Sequence, residues 1–177
     1  TFGKILPRAT EIAAQVAWLY VGLTGACAVI YIATGMRSFD AVLHAMTTIA
    51  TGGFSTYDSS FVKFGASTEY AAVVFMCLAA LPFVRYVQLI NGAPGSLFLD
   101  SQVRVFFIVL LVTVGFLTLV LWQGHQLAGE LGFRKALFNV VSITTGTGYA
   151  SADYSNWGPV ALVVFFYAGL VGGCAGS

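Results

Sequence analysis

Two short stretches hold the residue types that could do chemistry: Thr51-Gly52-Gly53-Phe54 and Gly146-Thr147-Gly148-Tyr149. What they offer is backbone. Glycine adopts positive φ without a Cβ clash, so a Gly/Thr run can bend until successive carbonyl oxygens face one axis. Rings of such oxygens can replace the hydration shell of an alkali cation. On this reading a cation is held by Thr51, Gly52 and Gly53 in one stretch and by Gly146, Thr147 and Gly148 in the other. Phe54 and Tyr149 close the two motifs and count among the ion-binding filter residues. Small residues also let membrane helices pack closely, so one such loop alone leaves ion binding and packing both open. Two loops at matching places favour ion binding.

The elements around them repeat. Asp40 to Ala50 is helix-permissive but short, and eleven residues of helix reach roughly 16 Å, about half of a 30 Å hydrocarbon core. Ser38 is the expected N-cap, with Asp40 in the first turn, where the helix dipole favours an acid. Phe133 to Thr145 repeats the pattern ahead of the second loop. Apolar runs flank both: Ile12–Met36, Glu69–Ile90, Gln102–Trp122 and Asn156–Leu170. Glu69–Ile90 contains Pro82 and is expected to kink. Asn91–Ser96 reads as a linker and Gln123–Gly132 as a polar connection. Gly148 follows Gly53 by 95 residues, and at that offset Ala41 meets Ala136, His44 meets Asn139, Thr47 meets Ser142, Phe54 meets Tyr149 and Asp58 meets Asp153. The half-length helices end at the loops, so their negative dipole poles would face the ion path. The expected organisation is an all-α membrane protein of tandem helix–pore-loop–helix units with re-entrant half-helices. Residues 1–96 form one unit with its linker, and 97–177 form the next, cut in its last helix.

Composition requires a lipid surface. The chain of 177 residues is 58% hydrophobic and 8% charged, with a mean hydropathy of +0.87, whereas soluble domains carry about 25% charged residues. A net charge of +1 gives no reason to expect nucleic acid as a partner. Cys27, Cys77 and Cys174 have neither metal-ligand nor disulfide-framework spacing; Cys27 and Cys77 read as small packing residues. The N-terminal apolar run is too long for a signal peptide. The abrupt start, and an end inside Gly172-Gly173-Cys174-Ala175-Gly176-Ser177, suggest an internal piece of a longer protein.

The stretch from His44 through Thr51-Gly52-Gly53-Phe54 to Asp58 resembles the second filter region of bacterial Trk-type potassium uptake proteins, of the Trk/Ktr/HKT family. Gly146 to Ala150 is similar to the third, and its Thr-Gly-Tyr resembles part of the potassium-channel filter motif. Gly172-Gly173-Cys174-Ala175-Gly176-Ser177 resembles the start of the Gly-rich gate loop that interrupts the last helix of the third repeat. In order, these matches cover nearly the whole chain, and they are most similar to the pore-forming (TrkH/TrkG-like) subunit. The resemblance implies four helix–pore-loop–helix repeats in one polypeptide, of which this chain would supply the second and most of the third. It implies a multi-pass protein of the cell (inner) membrane that conducts potassium, works as a homodimer and docks a TrkA-like cytoplasmic nucleotide-binding regulatory subunit. No cofactor is implied beyond potassium as the transported ion, and no enzymatic activity; a sodium-permeable or cation-coupled member is the alternative. Two of four repeats would not conduct alone. The loops are placed at the outer face by resemblance. Charge does not orient the chain: Lys4, Arg8, Arg85 and Arg104 would lie on one side, and Arg37, Lys63, Arg134 and Lys135 on the other.

Other polar residues have two readings each. His44 either packs and hydrogen-bonds behind the first loop or senses protons; His125 is expected in solvent. Asp58 and Asp153 either concentrate cations at the mouth or cap their loops. Arg85 departs from the small, polar character usual there in the family. It either snorkels to the interface or places a charge in the inner vestibule. Ser177 with His44 or His125 as a hydrolase lacks any recognisable triad relation. A purely structural subunit would need both glycine loops to be helix contacts.

Overall fold

The computed structural model describes residues 5–90, 100–124, 127 and 129–175, without the side chains of residues 5–9, 84 and 173–175. Lys4, the Asn91–Ser96 linker, His125, Gly176 and Ser177 lie outside the described residues, as do the side chains of Arg8 and Cys174.

Among the described residues all regular structure is helical: α1 (Ile5–Ala33), α2 (Ser38–Ile49), α3 (Ala66–Ala80), α4 (Phe83–Ile90), α5 (Ser101–Gln123), α6 (Gly129–Thr144) and α7 (Pro159–Ala175). Short 3-10 turns stand at Ser60–Lys63 and Tyr154–Trp157. Two segments, Thr10–Ala33 within α1 and Ser101–Gln123, are long and apolar enough to cross a membrane. Their outer faces carry bare apolar side chains such as Trp18 at 76% and Val112 at 66% exposure. Hydrocarbon tails can cover such surface at no polar cost.

The order helix, half-length helix, glycine loop, helix occurs twice: α1, α2, residues 50–59, α3–α4; then α5, α6, residues 145–153, α7. The two units join where α3 packs on α6. Tyr31, Phe61, Met76, Phe138 and Tyr149 are fully buried at this junction. Phe61 lies 4.5 Å from the Tyr149 ring and 5.1 Å from Phe138, centroid to centroid. Cys27 is a buried free thiol in the same core, and Cys77 is half-buried.

Beyond small shifts of helix ends, the sequence expectations differ from the structure at the return helix, at the cap of α2 and at Gly172. The return helix breaks outright: Leu81 is extended (φ −78°, ψ 147°) and α4 begins after Pro82. Proline removes the amide donor and forces the residue before it out of the helical region. Ser38 is the first helical residue of α2, with extended Arg37 in the cap position and no side-chain cap bond. The carboxylate two residues on is used elsewhere, as described below. Finally, α7 stays helical through Gly172 to Ala175, so the expected interruption does not begin at Gly172. The reason is contact: a Cβ on Gly172 would overlap the Thr144 carbonyl oxygen at the end of α6. Glycine here lets two helix backbones meet.

Candidate functional site

Each glycine loop starts where its half-length helix runs out of hydrogen bonds, and the two turn in the same way. The amide of Thr51 donates to Thr48 O at 3.1 Å, and that of Gly146 to Ile143 O at 3.1 Å. Gly53 N donates to Thr47 O at 3.4 Å, and Gly148 N to Ser142 O at 3.2 Å. The backbone at these paired positions is left-handed: φ is +49° at Thr51 and +74° at Gly146, then +66° at Gly53 and +88° at Gly148. Thus the 95-residue repeat is one of backbone conformation. Thr51 is its exception in chemistry, a β-branched residue where left-handed φ is strained.

The loops touch each other. A Cβ on Gly53 would overlap the carbonyl oxygen of Thr147, with the carbonyl carbons of Thr147 and Gly148 at 3.0 and 3.2 Å. Gly53 is therefore required twice, for its dihedral angle and for the approach of the second loop. Gly148 meets nothing within 4 Å, so only its φ demands glycine. Gly52 and Gly146 are exposed, whereas Thr147 is buried and its hydroxyl lies 2.8 Å from Thr145 Oγ1.

The residues closing the two motifs behave differently. Phe54 is 77% exposed, and its carbonyl accepts from Thr47 Oγ1 at 2.8 Å, facing α2. Tyr149 is buried against the other unit. Its hydroxyl donates to the His44 carbonyl at 3.0 Å and lies 2.5 Å from Thr47 Oγ1 and 3.3 Å from Thr48 Oγ1. Two further bonds tie the second loop to the first unit: Phe61 N to Ala150 O at 2.9 Å, and Ala150 N to Ser60 Oγ at 3.1 Å.

Behind the loops stand polar side chains of the half-length helices. His44 Nδ1 lies 2.7 Å from the Asp40 carbonyl and must donate to it, leaving Nε2 to accept from Ser55 Oγ at 2.9 Å. Ser55 Oγ in turn accepts from Tyr57 N. The Asp40 carboxylate accepts from Thr56 Oγ1 at 2.9 Å and from the Tyr57 hydroxyl at 2.7 Å. In α6, Asn139 donates to Ser151 Oγ and accepts from Ser151 N at 3.1 and 3.2 Å. Lys135 donates to Ser151 O at 2.8 Å and to Glu69 Oε1 at 2.5 Å. Arg134 completes the cluster, bonding Glu69 Oε2 at 2.8 Å and Glu130 Oε1 at 2.7 Å.

This cluster, 1% exposed at Glu69, was not singled out from the sequence. Its signal was the presence of Glu69, Arg134 and Lys135 in a chain with few charges. Asp153 caps its own turn, accepting from Ser155 and Asn156, while Asp58 is exposed. Arg85 pairs with Asp100 at 2.9 Å, and Asp100 also caps α5 through Gln102 N. The charge is thus neutralised by a neighbour. His44 lies behind the first loop, with the Asp40 carbonyl and the Ser55 hydroxyl as hydrogen-bond partners.

Taken together, the loops bring exposed glycine backbone to one place at the negative ends of two helices, with the anchoring side chains held behind. That arrangement can present carbonyl oxygens to a cation. Among known proteins the chain is 42% identical to the Trk system potassium uptake protein TrkI of Halomonas elongata, over 98% of this chain and 36% of that protein. It is 33% identical to the Trk system potassium uptake protein TrkH of Escherichia coli, over 98% of this chain and 37% of that protein. The crystal structure of the potassium transporter TrkH from Vibrio parahaemolyticus superposes with a TM-score of 0.90 at 33% identity, over 97% of this chain and 38% of that one. The chain thus spans little more than a third of the length of these relatives. The TrkH family, described as cation transport proteins, matches residues 2–177, and with a shared fold and repeated loop geometry beside that match, the chain belongs to the TrkH family.

Proposed function

We propose that this chain forms part of the pore of a potassium uptake system in the cell (inner) membrane, supplying the second repeat (residues 1–96) and most of the third (97–177) of a four-repeat, multi-pass polypeptide. Thr51, Gly52 and Gly53, with Gly146, Thr147 and Gly148, line half of a carbonyl filter for potassium; Phe54 and Tyr149 anchor the outer limbs of the loops. Gly172, Gly173, Cys174, Ala175, Gly176 and Ser177 form the gate region, which begins as helix from Gly172 to Ala175 rather than as a loop. The remaining two repeats complete the ring, and the assembly is a homodimer on a TrkA-like cytoplasmic nucleotide-binding regulatory subunit. The reaction is ion movement, with no enzymatic step and no cofactor besides the transported ion.

One observation carries this reading: two loops 95 residues apart share left-handed φ at both paired positions, and Gly53 abuts the Thr147 carbonyl. A packing motif has no need of matched bends that leave glycine backbone exposed. Replacing water around an alkali cation does need them, and two helix C-termini beside the loops lower the cost of holding positive charge.

The test is potassium uptake by the full-length protein in cells lacking their own uptake systems, with Gly53→Ser and Gly148→Ser beside wild type. Wild type is expected to restore growth at low potassium, and each substitution to reduce uptake or admit sodium. Two variants equal to wild type at matched surface abundance would make the loops packing motifs.

A further inference from the structure

The half-length helices do more than point their dipoles. Lys135 and Asn139 are one helical turn apart on α6 and together hold every polar atom of one residue, Ser151, in the outer limb of the second loop. Lys135 Nζ binds its carbonyl at 2.8 Å, and the Asn139 amide binds its N–H at 3.2 Å and its hydroxyl at 3.1 Å. Asn139 and Ser151 are fully buried or nearly so, and the Lys135 side chain is 13% exposed. In the first unit, the positions 95 residues earlier are Asp40 and His44. They have the same task with unrelated chemistry: Asp40 accepts from Thr56 and Tyr57, and His44 bonds Ser55. A cation and an amide in one unit, and an anion and an imidazole in the other, all grip the limb that follows the glycines. A side-chain pair kept in place while its charge is inverted serves position rather than field.

We propose that Lys135 and Asn139 are positioning residues that clamp the second glycine loop through Ser151, and that they thereby set its ion preference. The inference rests on the filter reading above. Ser151 lies three residues past Gly148, so a shift of its backbone is passed to the Gly148 and Thr147 carbonyls with little chain to absorb it. Glu69 of the first unit has a separate part. It neutralises an ammonium that would otherwise be costly to bury, and it leaves the Ser151 bond to Lys135. Stability and selectivity should therefore separate by variant.

The experiment uses the full-length protein in membranes of cells without other potassium uptake. It measures potassium and sodium uptake, KM and maximal rate at matched surface abundance, and melting in detergent. Glu69→Gln is expected to lower the melting temperature and to leave the potassium-to-sodium ratio within twofold. Lys135→Met with Glu69→Gln removes both charges; the ratio should fall at least fivefold and the potassium KM rise. With Glu69 intact, Lys135→Arg should restore both to within twofold of wild type. Ser151→Ala, a mild change that removes only the Asn139–hydroxyl bond, should lower the ratio at least twofold; it decides the matter if the double variant does not reach the membrane. An unchanged ratio in the double variant, or in Ser151→Ala where that one decides, would overturn the clamp and leave Lys135 as a helix–helix ion pair, provided Gly53→Ser or Gly148→Ser reduces uptake or admits sodium in the same cells. If both glycine variants also equal wild type, the filter reading itself fails.

Discussion

Gly53→Ala adds one methyl group at the closest approach of the two loops. Its first cost is conformational: φ at Gly53 is +66°, and a left-handed L-residue costs roughly 1–2 kcal/mol. Its second cost is steric. The new Cβ would overlap the Thr147 carbonyl oxygen, with two more backbone carbons at 3.0 and 3.2 Å. The obstacle is backbone of the other loop, so no side-chain rotation relieves it, and one loop must withdraw by more than about 1 Å to restore van der Waals separation. The atom displaced is itself a proposed ion ligand. We expect potassium affinity to fall at least about tenfold, equivalent to about 1.4 kcal/mol, with a lower potassium-to-sodium ratio. Two controls separate the costs. Gly35→Ala, at φ +101° in the turn after α1 with nothing within 4 Å, carries a dihedral penalty alone and should lower the melting temperature without changing selectivity. Gly148→Ala, at φ +88° and also unobstructed, should affect uptake less than Gly53→Ala. The assay is concentration-dependent potassium and sodium uptake at equal surface abundance. A Gly53→Ala protein with both KM and ion ratio within twofold of wild type would refute the argument that the loops constrain each other.

Gly172→Val should destabilise by roughly 1–3 kcal/mol, because its Cβ has no room beside the Thr144 carbonyl. Gly169→Ala, whose Cβ would sit 3.6 Å from Ile143 Cγ2, should be near neutral, and thermal melting in detergent compares the two. Thr51→Gly should raise the melting temperature by up to about 1 kcal/mol equivalent, since it removes a left-handed β-branched residue at φ +49°; a fall would mean that the hydroxyl has an unrecognised task. Arg85→Met should cost roughly 1–3 kcal/mol, because the guanidinium is 38% exposed but the Asp100 carboxylate it leaves behind is only 7% exposed. Potassium uptake should stay within twofold, and a larger change would restore a vestibule role for the charge.

The sequence alone determined where the helices stand and that the two ahead of the loops are short, because hydropathy and length set those limits, although it ran α3 and α4 together. It also determined the repeat, since matching residues at one fixed offset need no structure to be seen, and it located both glycine loops. Element ends shifted by a few residues, as at Gly129, where α6 begins earlier than the apolar pattern suggests. Tertiary structure decided the rest. Composition cannot tell a glycine that bends from one that makes room: Gly148 bends, Gly172 makes room for α6, and Gly53 does both. Nor could it reveal that Tyr149 crosses to α2 while its counterpart Phe54 stays exposed, because that depends on which unit lies beside each loop. The buried cluster of Glu69, Arg134 and Lys135 joins residues 65 and 66 positions apart. Charges so distant in sequence meet only when α3 packs on α6, and that packing gives the buried Lys135 ammonium its counter-charge.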